Sequence, residues 1–344
     1  MVSIMTTMVL MIVITLIVLG FAQISRRNQR EALDRQLSTQ AFYAAETGIN
    51  DARKLIQTAV TAGTTVADKT GCTDTGTGGF YGSLNPTIDA AANVKYSCLL
   101  VDPSPKVLRY SDVGTTSVIV PMTATTGTFS TIKIDWQSKI VGGTPTSGCP
   151  TTLPAGAGNG QFSPTATWVC GYGVLRFDLV PTTGALDSES LRNATMTTFA
   201  VPFASGGTAS IPYSASTANA NNVRGITCTN AGCSLTVSGL TQASYYLRVS
   251  SLYRNVSMQI SGANGVGSQL EIQGAQAVID STGRAQDVLR RIQVNVPYRS
   301  SSENQLSEYA IQSTDAICKR FSVMNGFFDT AVAGVTSAGR LCQP

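Results

Sequence analysis

Histidine is absent from this chain, and charged residues of either sign are scarce. Without histidine, Ser-His-Asp and Cys-His catalytic arrangements are excluded, as are histidine-ligated metal sites. Basic residues number 24 and acidic residues 20, so the net charge is only +4 and charged residues make up 13% of the chain. A charge this small and this scattered does not favour nucleic acid as a partner.

Motifs that carry catalysis are also missing. No P-loop, S-x-x-K or G-x-S-x-G element is present, so we predict that the chain is not an enzyme and has no catalytic site, no cofactor and no metal. One enzymatic alternative is an anchored extracellular hydrolase of the carboxylate type, whose acids would have to converge in the fold. The candidate acids are Asp178, Asp187, Glu189, Glu271 and Asp280.

No charged residue precedes Arg26, and the apolar stretch before it is long. A helix of about 20 or more such residues spans the core of a bilayer. The stretch is too long for the core of a signal peptide, and neither a basic n-region nor a small-residue cleavage site flanks it. We therefore predict a membrane or filament-core helix over residues 1–25.

Two topology signals conflict behind this helix. The cluster of Arg26, Arg27 and Arg30 would face the cytoplasm under the positive-inside rule. The eight cysteines, without any C-x-x-C pair, are typical of structural disulfides outside the cytoplasm. We expect a short basic leader, removed before Met1, to have set the orientation; an ordinary signal anchor is the alternative.

Residues 26–62 are predicted to continue the same helix as an amphipathic segment. They contain no proline, and small or apolar residues recur at steps of three and four until about Val60, where Gly63 and threonines replace the pattern. This face would pack on the downstream head or on neighbouring helices, whereas a coiled-coil stalk would need larger core residues. The packing residues are Leu37, Ala41, Ala44, Ala45, Gly48, Ile49, Ala52 and Leu55.

Residues 63–344 are predicted to form a β-rich head, mostly antiparallel, with a candidate boundary between two subdomains near 203–222. Short β-branched runs alternate there with Gly- and Ser-rich loops. The clearest hairpin joins residues 270–281 to 285–296 through S-T-G-R, with Gly283 available for the turn. The other predicted strands are 94–101, 117–122, 131–136, 173–180, 195–201, 225–237, 244–253 and 255–262.

Proximity in sequence suggests how the cysteines pair, although eight cysteines allow 105 connectivities. The suggested pairs are Cys72–Cys98, Cys149–Cys170, Cys228–Cys233 and Cys318–Cys342. Two sequons, at Asn193 and Asn255, leave glycosylation open.

The stretch MVSIMTTMVLMIVITLIVLGFAQISRRNQR, followed by AFYAAETGINDA, resembles the N-terminal helix of type IV pilins. Within that superfamily it is most similar to PilX-type minor pilins and large pseudopilins. The resemblance implies an α+β fold in which a long N-terminal helix carries a β-rich head, giving a ladle shape. The family usually has Phe and Glu where this chain has Met1 and Met5, and that departure resembles tip-type minor subunits.

The resemblance also implies a function as a structural subunit of an extracellular pilus-like filament, with the head displayed for adhesion or motility. The implied partners are other pilin subunits, the cytoplasmic membrane before assembly, a prepilin peptidase and an unknown surface receptor. The rival hypothesis is a monomeric membrane-anchored adhesin or receptor ectodomain. The implied assembly residues on the helix are Met1, Met5, Met8, Leu10, Ile12, Leu16, Leu19 and Gly20.

Overall fold

The computed structural model divides the chain into two compact units, Met1–Asn304 and Gln305–Pro344. In the second unit, two short strands, Ser322–Met324 and Phe327–Asp329, pair antiparallel. The structure describes residues 2–68, 71–72, 84, 86–138, 144–153, 167–182, 194–214 and 223–298, together with the backbone of 322–324 and 327–329.

A single α-helix, α1, runs over Val2–Thr61. Its 60 residues correspond to a length of roughly 90 Å at 1.5 Å per residue. The helix ends in a glycine cap, because Gly63 has a φ of 65° and the amides of Gly63 and Thr64 donate to the carbonyls of Val60 and Ala59. The prediction of one unbroken helix that ends near Val60 is confirmed.

The head of the first unit is built from strands, as predicted. Within the described residues the strands are β1 Thr87–Asp89, β2 Val94–Asp102, β3 Val107–Val113, β4 Val118–Ala124, β5 Thr131–Ser138, β6 Val174–Pro181, β7 Met196–Phe203, β8 Ser210–Pro212, β9 Val223–Thr229, β10 Gly232–Ser238, β11 Ser244–Leu252, β12 Val256–Ala263, β13 Ile272–Gln273, β14 Gln276–Ala285 and β15 Val288–Pro297.

The smaller sheet has four strands in the order β1-β2-β14-β15, all antiparallel. The second half of α1 packs across β14, β15 and β2. Their shared apolar core contains Ile49, Ala52, Ile56, Tyr96, Leu99, Val101, Ala277 and Ile279.

The larger sheet has eleven strands, ten of them in the order β13-β4-β11-β6-β7-β9-β10-β5-β12-β3, with β8 paired to β10. Among the strand pairs of this sheet that the structure describes, β7–β9 and β8–β10 are parallel and the others are antiparallel. One apolar cluster contains side chains from both halves of this sheet, and the Ile272 amide donates to the Pro105 carbonyl at 3.3 Å, so its two ends approach each other.

The stretch 203–222, where the sequence suggested a subdomain boundary, lies between β7 and β9. These two strands are parallel neighbours in the same sheet. Because parallel neighbours need a crossover rather than a tight turn, a long Gly- and Ser-rich connection occurs here within one sheet.

Both connections between the two sheets leave the smaller sheet at the same end. Strand β2 finishes at Asp102, which is paired with Val278 near the start of β14. The Gln276 side chain joins the sheets further, because its amide nitrogen donates to the Arg109 carbonyl at 2.7 Å and its oxygen accepts from the Arg109 amide at 2.9 Å. Gln276 thereby pairs with the backbone amide and carbonyl of Arg109 in β3, as a neighbouring strand would.

Several strand predictions need correction. The predicted strand 225–237 is two strands, β9 and β10, and the predicted strand 270–281 is divided into β13 and β14. The hairpin prediction placed its turn wrongly: Gln286 and Asp287 form it, with a φ of 53° at Gln286, whereas Gly283 pairs with Arg290 inside the ladder. Glycine was the expected turn residue because it adopts positive φ freely, but a non-glycine residue takes that role here.

Three disulfides connect the described part of the head: Cys72–Cys98, Cys149–Cys170 and Cys228–Cys233. They are three of the four pairs suggested by the sequence. The fourth, Cys318–Cys342, lies outside the described residues. The first ties the segment after α1 to β2, and the third closes the β9–β10 hairpin.

Candidate assembly site

The first half of α1 exposes large apolar side chains on all sides. Between Met5 and Ile24 these side chains are 49% to 75% exposed. Burying one such side chain is worth about 1.5–3 kcal/mol, so the segment requires lipid or other protein around it. The predicted assembly residues Met5, Met8, Leu10, Ile12, Leu16, Leu19 and Gly20 are all exposed, and Met1 lies outside the described residues.

This segment is the one helix in the described part of the chain that is long and apolar enough to cross a membrane. The absence of any burial distinguishes it from a core helix of a soluble protein, which would be covered by its own fold.

The second half of α1 presents small residues to the smaller sheet. Ala41, Ala44, Ala45 and Ala52 are completely buried. Among the other residues predicted to pack on the head, Gly48 and Ile49 are buried and Leu37 and Leu55 are partly buried. Small side chains let the helix backbone come close to the sheet.

Two glycines mark the closest approach of helix and sheet. A Cβ at Gly283 would collide with the Ala41 carbonyl oxygen and the Ala45 nitrogen, and would lie 3.0 Å from the Ala44 Cβ. A Cβ at Gly48 would overlap the Ser281 hydroxyl and lie 3.1 Å from Cγ of Tyr96. Sequence analysis missed this role of Gly283, although a glycine inside a strand pattern is a signal of close backbone approach.

Polar contacts fix the helix along the sheet. The Tyr96 hydroxyl donates to the Asp51 carboxylate at 3.1 Å, and burial together with this bond raises the pKa of Tyr96 well above its usual value. Nearer the exposed half, Nε of Arg290 donates to the Ser38 hydroxyl at 2.8 Å. Beyond the helix end, the Val66 amide donates to the Tyr298 hydroxyl at 3.3 Å.

Of the acids considered for hydrolysis, the two that are buried lie in different sheets and each is paired with arginine. Asp178 in β6 is buried and binds Arg248 and Arg176, with 2.7 Å to Nε of Arg248. Asp280 in β14 belongs to the other sheet and binds Arg291, whose Nε lies 2.8 Å from its Oδ1.

Of the remaining acids, Glu271 is exposed, and Asp187 and Glu189 lie outside the described residues. Among the residues that the structure describes, no group of three Cys, Asp or Glu side chains is placed to hold a metal ion.

The helix is apolar and exposed in its first half, and its second half packs on a disulfide-linked β head. This arrangement is that of a β-rich domain carried by a long apolar N-terminal helix. The PilX N-terminal family model matches residues 2–50, and this match supports a type IV pilin-like family. No curated protein and no solved structure matches the chain. The apolar helix and the family match together support a membrane-anchored, pilus-associated structural protein that interacts with other pilus subunits.

Proposed function

We propose that this protein is a structural subunit of a type IV pilus-like extracellular filament. The observation that carries the proposal is the contrast within α1: the described large apolar side chains of its first half are exposed, while one face of its second half is buried by its own head. A segment of this kind is stabilised by burial either in a lipid bilayer or among copies from neighbouring subunits.

Within the superfamily, we assign the chain to the PilX-type minor pilins or large pseudopilins. The support for this assignment is the matched N-terminal segment together with a head of fifteen described strands and Met5 in place of the usual glutamate. An uncharged Met5 makes burial of the helix in a bundle cheaper, and it removes one ionic contact that would set the axial register.

The proposed partners follow from this role. Before assembly the helix is held in the cytoplasmic membrane, where a prepilin peptidase acts on the protein. After assembly the helices occupy the filament core, and the heads lie outside, available for adhesion to a surface receptor or for motility.

A charge in the middle of the apolar half tests the proposal. We expect Leu16→Arg to abolish incorporation into filaments, because burying an unpaired arginine in an apolar bundle is strongly unfavourable. The matched control is Gln29→Arg, which adds the same charge at an exposed position of the same helix beyond the apolar run. Sheared filaments are isolated and probed for the head, and non-reducing gels of whole cells show whether the disulfides have formed.

Equal amounts of Leu16→Arg and Gln29→Arg in wild-type-like filaments would show that the segment is only a tether. The monomeric adhesin would then replace the filament subunit as the better hypothesis.

A further inference from the structure

Three arginines lie on one side of α1 directly after its apolar half. Arg26, Arg27 and Arg30 are all exposed, and no charged residue precedes them. At 100° per residue they fall within an arc of about 100° on the helix surface. By the same geometry this arc lies on the side of the helix that Ala41 and Ala45 present to the sheet further along. The arginines therefore lie on the sheet-facing side of α1, between the apolar half and the part of the helix that the head covers.

The tip of the β14–β15 hairpin is the part of the head nearest to these arginines. Ala285 packs with Ala41 and the partly buried Leu37, and Arg290 bonds to Ser38. These contacts place the tip beside residues 37–41, roughly 10–16 Å along the helix from Arg30.

This hairpin tip exposes both charge and apolar surface. Arg284, Asp287 and Arg290 are exposed, and Leu289 has 58% of its surface exposed. Arg284 and Leu289 are directly paired across the two strands, so they share the face of the hairpin that points away from α1. Arg290 is paired with Gly283 and lies on the face toward α1, so the hairpin tip carries basic side chains on both faces.

Basic groups outnumber acidic ones around this region. Glu31 is already paired with Arg35 at 2.6 Å, and the Asp89 carboxylate accepts the backbone amides of Ala91 and Ala92. The acids are Glu31, Asp34, Asp89 and Asp287, and the basic residues are Arg26, Arg27, Arg30, Arg35, Lys95, Arg284 and Arg290.

We propose that Arg26, Arg27, Arg30, Arg284, Leu289 and Arg290 form a basic surface that binds the phosphodiester headgroups of anionic phospholipids. Guanidinium groups match phosphate oxygens in pairs, which makes arginine well suited to this ligand. The occupant is a lipid rather than soluble phosphate, because the surface begins where a membrane-length apolar segment ends and includes an exposed leucine. This proposal rests on the membrane anchoring in the proposed function. The proposal adds that attraction to the charged lipid headgroups holds the head over the membrane before assembly.

The test uses the full-length protein in phosphatidylcholine vesicles that contain spin-labelled phosphatidylglycerol or spin-labelled phosphatidylcholine. We expect the protein to immobilise the anionic lipid several-fold more strongly than the zwitterionic one, and we expect high salt to weaken this preference. The preference should be lost in Arg26→Gln/Arg27→Gln/Arg30→Gln and reduced in Arg284→Gln/Leu289→Ser. The control, Lys133→Gln/Arg224→Gln/Arg254→Gln, removes the same charge from β5, β9 and the turn between β11 and β12, and it should keep the preference.

Equal immobilisation of both lipids by the wild type would overturn the proposal, and so would equal loss in the control. Competition by inorganic phosphate at constant ionic strength would overturn the choice of a lipid, because the site would then take the soluble anion. Each of these results leaves the filament hypothesis standing. Failure of the protein to enter vesicles at all would instead contradict membrane anchoring itself.

Discussion

The two halves of α1 use opposite kinds of side chain for opposite kinds of contact. The half before Arg26 carries exposed Met, Leu, Ile and Val side chains, whereas the half after Leu37 meets its own sheet mainly through alanine and glycine. Large side chains maximise the apolar area available to partners, and small ones minimise the distance between helix and sheet backbones. The first half of the helix is therefore suited to contacts with other molecules, and the second half to contacts with its own head.

The largest effect on the packing between helix and sheet is expected from adding a side chain at Gly283. We expect Gly283→Val to destabilise the packing of α1 on the smaller sheet by more than about 3 kcal/mol. The added atoms would collide with the helix backbone, which cannot move aside as a flexible side chain can. Hydrogen exchange of the β14 and α1 amides measures the loss. Thr282→Val, one residue earlier in the strand, is the control and should keep wild-type protection.

Truncating one apolar side chain in each half sharpens the comparison. Ile49→Ala should lower the free energy of unfolding by about 2–4 kcal/mol, since it leaves a cavity in the core between helix and sheet. Leu16→Ala should leave the stability of the head unchanged, because Leu16 contacts no part of it. Thermal unfolding of the full chain in detergent, followed by circular dichroism, distinguishes them. Similar losses in the two variants would contradict the division of the helix.

The smallest expected effect concerns the bond between Tyr96 and Asp51. Tyr96→Phe should cost about 1 kcal/mol at neutral pH. Because the pKa of native Tyr96 is raised above its unfolded value of 10.0, wild-type stability is fully present below pH 10 and falls as the unfolded tyrosine ionises above it. The phenylalanine variant lacks this titration, so its deficit should shrink in alkaline solution. Urea unfolding at several pH values measures the trend, with the exposed Tyr43→Phe as a control.

Local patterns made the helix predictable from sequence. Its apolar start, its small-residue face and its glycine cap all depend on residues within a turn or two of each other. Leu33 lies one turn before Leu37 at the same spacing, yet it is 57% exposed because the sheet does not extend that far along the helix. The pattern shows which face is apolar, and the extent of the covering element decides how much of that face is buried.

The partner of the helix was not predictable in the same way. Strand β14 is more than two hundred residues away in sequence, so no periodicity links Gly48 to Ser281 or Ala41 to Gly283. Gly283 was placed in a turn because glycine in S-T-G-R has two possible uses, and only the tertiary contact selects between them. Strand β3 was missed for a related reason: its pairing with β12 shifts register between Val256 and Met258, which interrupts the alternation that identifies a strand.

The joining of both sheets at one end of the smaller sheet has a mechanical consequence. The larger sheet connects to β2 after Asp102 and to β14 before Gln276, whereas the exposed half of α1 leaves from the other end, beside Ala285. A force that separates the larger sheet from the free half of the helix therefore acts on β2 and β14 at the same end of both strands, parallel to their axes. The helix is loaded in shear against them, so every side chain in that interface resists at the same time instead of hydrogen bonds opening one after another.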